Sequence, residues 1–138
     1  MDVFLGKWIE IKEDVESYRQ FIDKIGVPKE IAEKILKYTG FFELQEDGDL
    51  FKATTGYVED PSLTRTYRFK MNETFTDTDN FGQKFTLVCK VEGGKCYDKC
   101  TNYYNQATIE SVREVVGDTL IVTTTCDGQT MVSKFKKQ

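Results

Sequence analysis

Reversal signals recur along almost the whole chain, and they constrain its fold more than any other feature. Glu46-Asp47-Gly48-Asp49, Met71-Asn72-Glu73, Glu92-Gly93-Gly94-Lys95, Gly117-Asp118 and Asp127-Gly128 put Gly, Asn and Asp where a chain can take positive φ and double back. The runs between them alternate apolar and polar residues. They predict strands near residues 4–11, 40–46, 50–57, 64–71, 74–77, 83–91, 95–104, 107–116, 119–126 and 129–136. Loops this short join sequential antiparallel neighbours, and ten such strands curl closed rather than leave two open edges.

One stretch has a helical period instead. Val15, Tyr18, Phe21, Ile22 and Ile25 share a face, Gly26-Val27-Pro28 interrupts, and Ile31, Ala32, Ile35 and Leu36 resume. Gly accepts the positive φ of a helix end, and Pro lacks only an amide hydrogen that a first turn leaves orphaned. The expected fold is therefore all-β: a ten-stranded antiparallel up-and-down closed barrel with a helix-turn-helix between strands one and two. At 138 residues the chain has room for one domain, spanning 1–138.

The composition excludes several kinds of chemistry. With no His, there is no imidazole base, proton shuttle or metal ligand. Cys89, Cys96, Cys100 and Cys126 lack the paired spacing of a structural zinc site, and no glycine-rich phosphate loop occurs, so neither metal nor cofactor is expected. Lys and Arg total 19 against 23 Asp and Glu, for a net charge of −4 without a basic block, so nucleic acid is not an expected partner. The longest apolar runs, such as Val3-Phe4-Leu5, are too short for a membrane span or a signal peptide.

Parity identifies the inner face. Tyr67, Phe69 and Met71 oppose Arg68 and Lys70, and Phe85, Leu87, Cys89 and Val91 oppose Lys84, Thr86 and Lys90. In the strand near 107–116, Arg113 falls in the row of Ile109, Ser111 and Val115. In the last strand, outward Lys134 and Lys136 turn Met131, Ser133 and Phe135 inward. A guanidinium never sheds its charge, so an inward Arg113 requires an anion, carbonyls or water in a cavity. The competing phase, with Val112 and Val116 inside, would place Arg113 in solvent. Asp98 has three open placements at this level: paired with Arg113, in water, or outward. Cys89, Cys96 and Cys100 share the inward phase of one hairpin and are expected as reduced, buried thiols. Asn72-Glu73-Thr74 matches a glycosylation sequon but reads as a turn.

Phe4-Leu5-Gly6-Lys7-Trp8, Phe69-Lys70-Met71-Asn72-Glu73-Thr74-Phe75, Glu92-Gly93-Gly94-Lys95 and Val112-Arg113-Glu114 occur in an order and spacing that resemble the fatty-acid-binding protein family, the intracellular lipid-binding branch of the calycins. The resemblance implies a monomeric cytoplasmic carrier of a long-chain fatty acid or similar apolar acid, with at most transient membrane contact. It makes Arg113 one of the family's cavity arginines that receive the ligand carboxylate. Where many members have Arg-x-Tyr, this chain has Ser133-Lys134-Phe135, so Ser133, Ser111 and Thr124 are expected to help through water, beside Phe135 and Tyr57 on the cavity wall. The helical pair is implied to be a lid at the portal, through Val15, Tyr18, Phe21, Ile31 and Ile35; a purely structural plug is the alternative. Further departures are Glu10 at a commonly apolar position, an enlarged Tyr57–Tyr67 connection containing Pro61, and about two extra residues near Asn102–Gln106.

Tail burial, at about 0.8 kcal/mol per methylene, would supply affinity, while the arginine would select the head and favour acids over methyl esters. Other readings are a retinoid or other apolar acid as ligand, an eight-stranded secreted lipocalin-like carrier, and an enzyme using a cavity thiol as nucleophile.

Overall fold

The computed structural model describes residues 2–138. After a 3₁₀ turn at Asp2–Phe4 come strand β1 (Gly6–Ile11), helices α1 (Val15–Ile25) and α2 (Lys29–Lys37), and strands β2 (Gly40–Asp47), β3 (Leu50–Tyr57), β4 (Asp60–Phe69), β5 (Phe75–Thr78), β6 (Lys84–Glu92), β7 (Lys95–Thr101), β8 (Ile109–Val116), β9 (Thr119–Cys126) and β10 (Gln129–Lys137). All pairings are antiparallel, in the order β4-β3-β2-β1-β10-β9-β8-β7-β6-β5.

First and last strands meet through Trp8↔Lys137 to Ile11↔Lys134, which wraps the meander into a barrel. The backbone ladder is interrupted only between β4 and β5. Side chains span that gap: Arg65 Nη2 meets Asp77 Oδ1 at 2.8 Å, Tyr67 Oη donates to the Thr78 carbonyl at 2.9 Å, and Asn80 Nδ2 donates to the Leu63 carbonyl at 2.7 Å.

Two corrections concern connections. The expected enlarged loop from Tyr57 to Tyr67 is mostly strand, since Tyr57 pairs with Asp60 after an irregularity at Gly56, and Pro61 sits exposed on a strand with one free edge, where its missing amide hydrogen costs no ladder bond. The strand expected over 95–104 stops at Thr101. Asn102, Asn105 and Gln106 take positive φ, and the chain turns through Tyr104–Gln106 before β8 begins.

Asp14 caps α1 by accepting from the Ser17 amide at 3.1 Å. Gly26 closes the helix at φ +77°, and a Cβ there would lie 2.0 Å from Asn105 Nδ2, which instead donates to the Ile25 carbonyl at 2.9 Å. The extra residues before β8 thereby pin the end of α1.

Two cores result. Phe4, Trp8, Leu44, Cys96, Leu120 and Val122 pack at one end, with Trp8 and Leu120 fully enclosed and Trp8 Nε1 donating to the Phe4 carbonyl at 3.0 Å. Under α1, Phe21 and Ile25 pack on Ile109 and Cys126. Leu120 and Cys126 stand at opposite ends of β9, roughly 20 Å apart along an extended strand, so the cores stopper the two ends of the barrel. Trp8→Ala is expected to lose about 3–5 kcal/mol of unfolding free energy in urea titrations, because it removes a closed-end side chain together with its hydrogen bond. A loss under about 1 kcal/mol would show that the end can collapse around the missing indole.

Candidate functional site

Between the two cores lies a cavity of about 360 Å³, within the range of small-molecule sites. Its walls are mainly apolar, with Phe42 and Ala53 from β2 and β3, Tyr67 and Phe69 from β4, and Phe75, Phe85 and Leu87 across the gap. The aromatic walls lock one another: Phe69 stacks on Phe75 at 5.5 Å, and Tyr67 meets Phe85 edge-on at 5.6 Å.

Arg113 and Asp98 end this apolar space. The phase with Val112 and Val116 inside is overruled, because Val116 is 59% exposed while Asp98 is buried. The β7–β8 register sets Asp98 opposite Ser111 and Arg113 opposite Cys96, so acid and base are diagonal neighbours on the inner face. Arg113 Nη1 binds Asp98 Oδ2, and the Cys96 thiol is 3.8 Å from Asp98 Oδ1. This settles the placement the sequence left open for Asp98. It also gives the Arg113 guanidinium a counter-ion from within the chain.

Beyond the pair, a smaller chamber of about 210 Å³ is lined by Asp79, Cys100, Tyr103, Ile109 and Ser111. Asp79 accepts from the Phe81 and Gln83 amides, both at 2.9 Å, and from Tyr103 Oη at 2.5 Å. Burial and the Asp79 charge push the Tyr103 hydroxyl far above the ordinary tyrosine range, so it stays protonated and donating.

The other expected site residues divide. Tyr57 and Phe135 line the large cavity, and burial raises the Tyr57 hydroxyl's pKa. Tyr57 also packs between Tyr38 and Phe81, at 6.2 and 5.7 Å between ring centres. Ser111 Oγ and Thr124 Oγ1 are 3.3 Å apart and hydrogen-bond to each other. Ser133 is buried but does not line the cavity; it neighbours the Tyr18 hydroxyl, whose pKa burial pushes up to about 12.

Of the lid residues, only Ile35 reaches the cavity. Tyr18 and Phe21 are buried against Ala32 and the strand ends, Ile31 is half-buried away from both chambers, and Val15 is 40% exposed on the first turn of α1. The helical period located the buried face of α1 but could not tell barrel-end packing from ligand lining, since both need an apolar stripe.

Glu10 is the wall residue whose role parity does not reveal. It lines the cavity, meets Lys12 at 3.2 Å and accepts from the Gly40 amide at 2.9 Å. Lys12 in turn donates to the Ile35 carbonyl at 2.6 Å and to that of Tyr38, holding the end of α2 to β1.

The family model described as "Lipocalin / cytosolic fatty-acid binding protein family" matches residues 2–137. Gastrotropin of Rattus norvegicus is 28% identical over 118 residues, covering 86% of this chain and 84% of the relative. A fatty acid-binding protein of Lepidoglyphus destructor is 29% identical over 126 residues, covering 88% and 89%. Among solved structures, the Schistosoma mansoni fatty acid binding protein in complex with arachidonic acid superposes with a TM-score of 0.86 at 24% identity, covering 100% of this chain and 98% of that one. Echinococcus granulosus fatty-acid-binding protein 1 gives 0.85 at 19%, covering 99% and 98%.

The thiols Cys89, Cys96, Cys100 and Cys126 are free. Burial pushes Cys89 and Cys100 up from 9.0 to about 11, outweighing the pull of Arg113 on Cys89. A thiol is charged when deprotonated, so a raised folded-state pKa stabilises the fold below the unfolded-state value and loses that contribution as pH rises through the folded one. Stability should therefore fall between about pH 9 and 11, by roughly 2–3 kcal/mol for Cys89 alone, in denaturant titrations across that range. Removing the thiol with Cys89→Ala should flatten the slope. An unchanged slope would show that Cys89 ionises freely in the folded barrel.

Proposed function

Because the chain belongs to the lipocalin / cytosolic fatty-acid binding protein family, we propose that its barrel binds and carries one long-chain lipid, a fatty acid or a molecule built like one. The tail lies along the Phe42–Phe69–Phe75 walls and the polar head meets Arg113. The observation that carries this reading is a cavity of about 360 Å³ whose mainly apolar wall carries Arg113 paired with the buried Asp98. The relatives named for fatty acids, and the arachidonic acid held by the Schistosoma mansoni protein, support the same ligand class.

Energetics divide the work. Each buried methylene contributes about 0.8 kcal/mol, so the tail supplies affinity, whereas a charged hydrogen bond nets about 1.5–3 kcal/mol and fixes orientation. Access runs past α2, where Ile35 and Tyr57 border the cavity at its helical end. The pull of Lys12 on the α2 carbonyls sets how readily that side opens.

The role is binding rather than catalysis. Burial holds every cavity thiol protonated at neutral pH, which suppresses the nucleophile a thiol enzyme would need. Four free thiols and the cytosolic branch named in the family's description support a cytoplasmic carrier. Among the described residues, no helix is long and apolar enough to cross a membrane.

Native mass spectrometry and displacement of an environment-sensitive fluorophore test the reading. One lipid per chain is expected, and Ala53→Trp, which fills the cavity from β3, should weaken binding at least about tenfold while the unfolding midpoint moves by only a few degrees. Unchanged affinity in a folded Ala53→Trp protein would place the ligand elsewhere.

A further inference from the structure

The charge balance inside the barrel bears on which lipid head fits. Among the described residues, the charged groups lining the two chambers are Glu10, Asp79, Asp98 and Arg113. Glu10 is engaged by Lys12 and the Gly40 amide, and Asp79 by two backbone amides and Tyr103. Arg113 is thus the one cation on the chamber walls, and Asp98 holds it.

That pairing follows from the sheet rather than from a chance rotamer. The β7–β8 register makes the two residues diagonal neighbours on one face, within reach of a long side chain. The Asp98 side chain is 7% exposed against 33% for Arg113, so the acid lies in the wall and the guanidinium faces the space. The other carboxylate oxygen lies against the Cys96 thiol.

Resting on the lipid reading above, we propose that Asp98 is the specificity-determining residue: it supplies the guanidinium's anion from within the chain, so the head that fits is uncharged and hydrogen-bonding, as in a long-chain alcohol or primary amide. Such a head both donates and accepts, matching a pair that offers free N–H groups on Arg113 and lone pairs on Asp98. A carboxylate accepts but has no hydrogen to donate to Asp98. Beside the intact pair it adds a second negative charge to a low-dielectric space that holds no spare cation. Displacing Asp98 instead leaves that acid buried and unpaired. The acid-over-ester preference expected of an unpaired arginine therefore gives way to a preference for neutral heads.

Displacement of an uncharged fluorophore by palmitate, palmitamide and hexadecanol at neutral pH tests this in the wild-type chain and in Asp98→Asn. Wild type should bind the amide and the alcohol at least about tenfold tighter than palmitate. Asp98→Asn, of nearly the same shape, should tighten palmitate at least about tenfold and move the alcohol by less than about threefold. Adding Arg113→Gln to Asp98→Asn should abolish the gain for palmitate. Wild-type palmitate binding equal to or tighter than palmitamide overturns the proposal and leaves the lipid reading standing. Failure of all three ligands to displace the fluorophore sinks both. If Asp98→Asn does not fold, the wild-type comparison of palmitate with its amide decides alone.

Discussion

Pairing of β1 with β10 is the constraint from which the interior follows. Without it the chain is a twisted meander in which alternation separates two faces but encloses nothing. With it, one face becomes an inside whose contents are cut off from bulk water. The Trp8 cluster at one end and α1 on the other then stopper the tube, leaving an unfilled middle. The break between β4 and β5 does not undo the closure, because Arg65–Asp77, Tyr67–Thr78 and Asn80–Leu63 carry it across in side chains.

Enclosure is what gives the ion pair its weight. On an exposed face, Arg113 and Asp98 would be one more surface pair worth little. At the end of an apolar cavity, with Asp98 buried in the wall, the same charges meet weaker screening. Each interior acid then has its own partners, Glu10 on Lys12, Asp79 on two amides and a tyrosine hydroxyl, and Asp98 on Arg113.

The helical end combines two separate devices. Asn105 bonds the last turn of α1 and fills the space that Gly26 leaves open, while Lys12 bonds the last carbonyls of α2 from the barrel wall. Only α2 presents a side chain, Ile35, to the cavity. α1 thus packs on the barrel end while α2 borders the cavity, which explains why an apolar stripe common to both helices marks buried residues without marking cavity contacts.

Local periodicity located the ten strands and the helical pair and put Ile109, Ser111, Arg113 and Val115 in one row, because which residues share a face depends only on near neighbours in the chain, while the exposed Val116 and buried Asp98 decided that this row faces inward. Phe135 and Tyr57 were legible on the wall for the same reason. Tertiary structure decided the rest: that Asp98 pairs with Arg113, that Glu10 turns to Lys12 and Gly40, and that Ser133 lies behind the cavity beside Tyr18. Those outcomes depend on the register between strands and on where helix ends land, which are set by contacts between residues far apart in the chain. A period of two carries no record of which neighbour stands diagonally across the next strand.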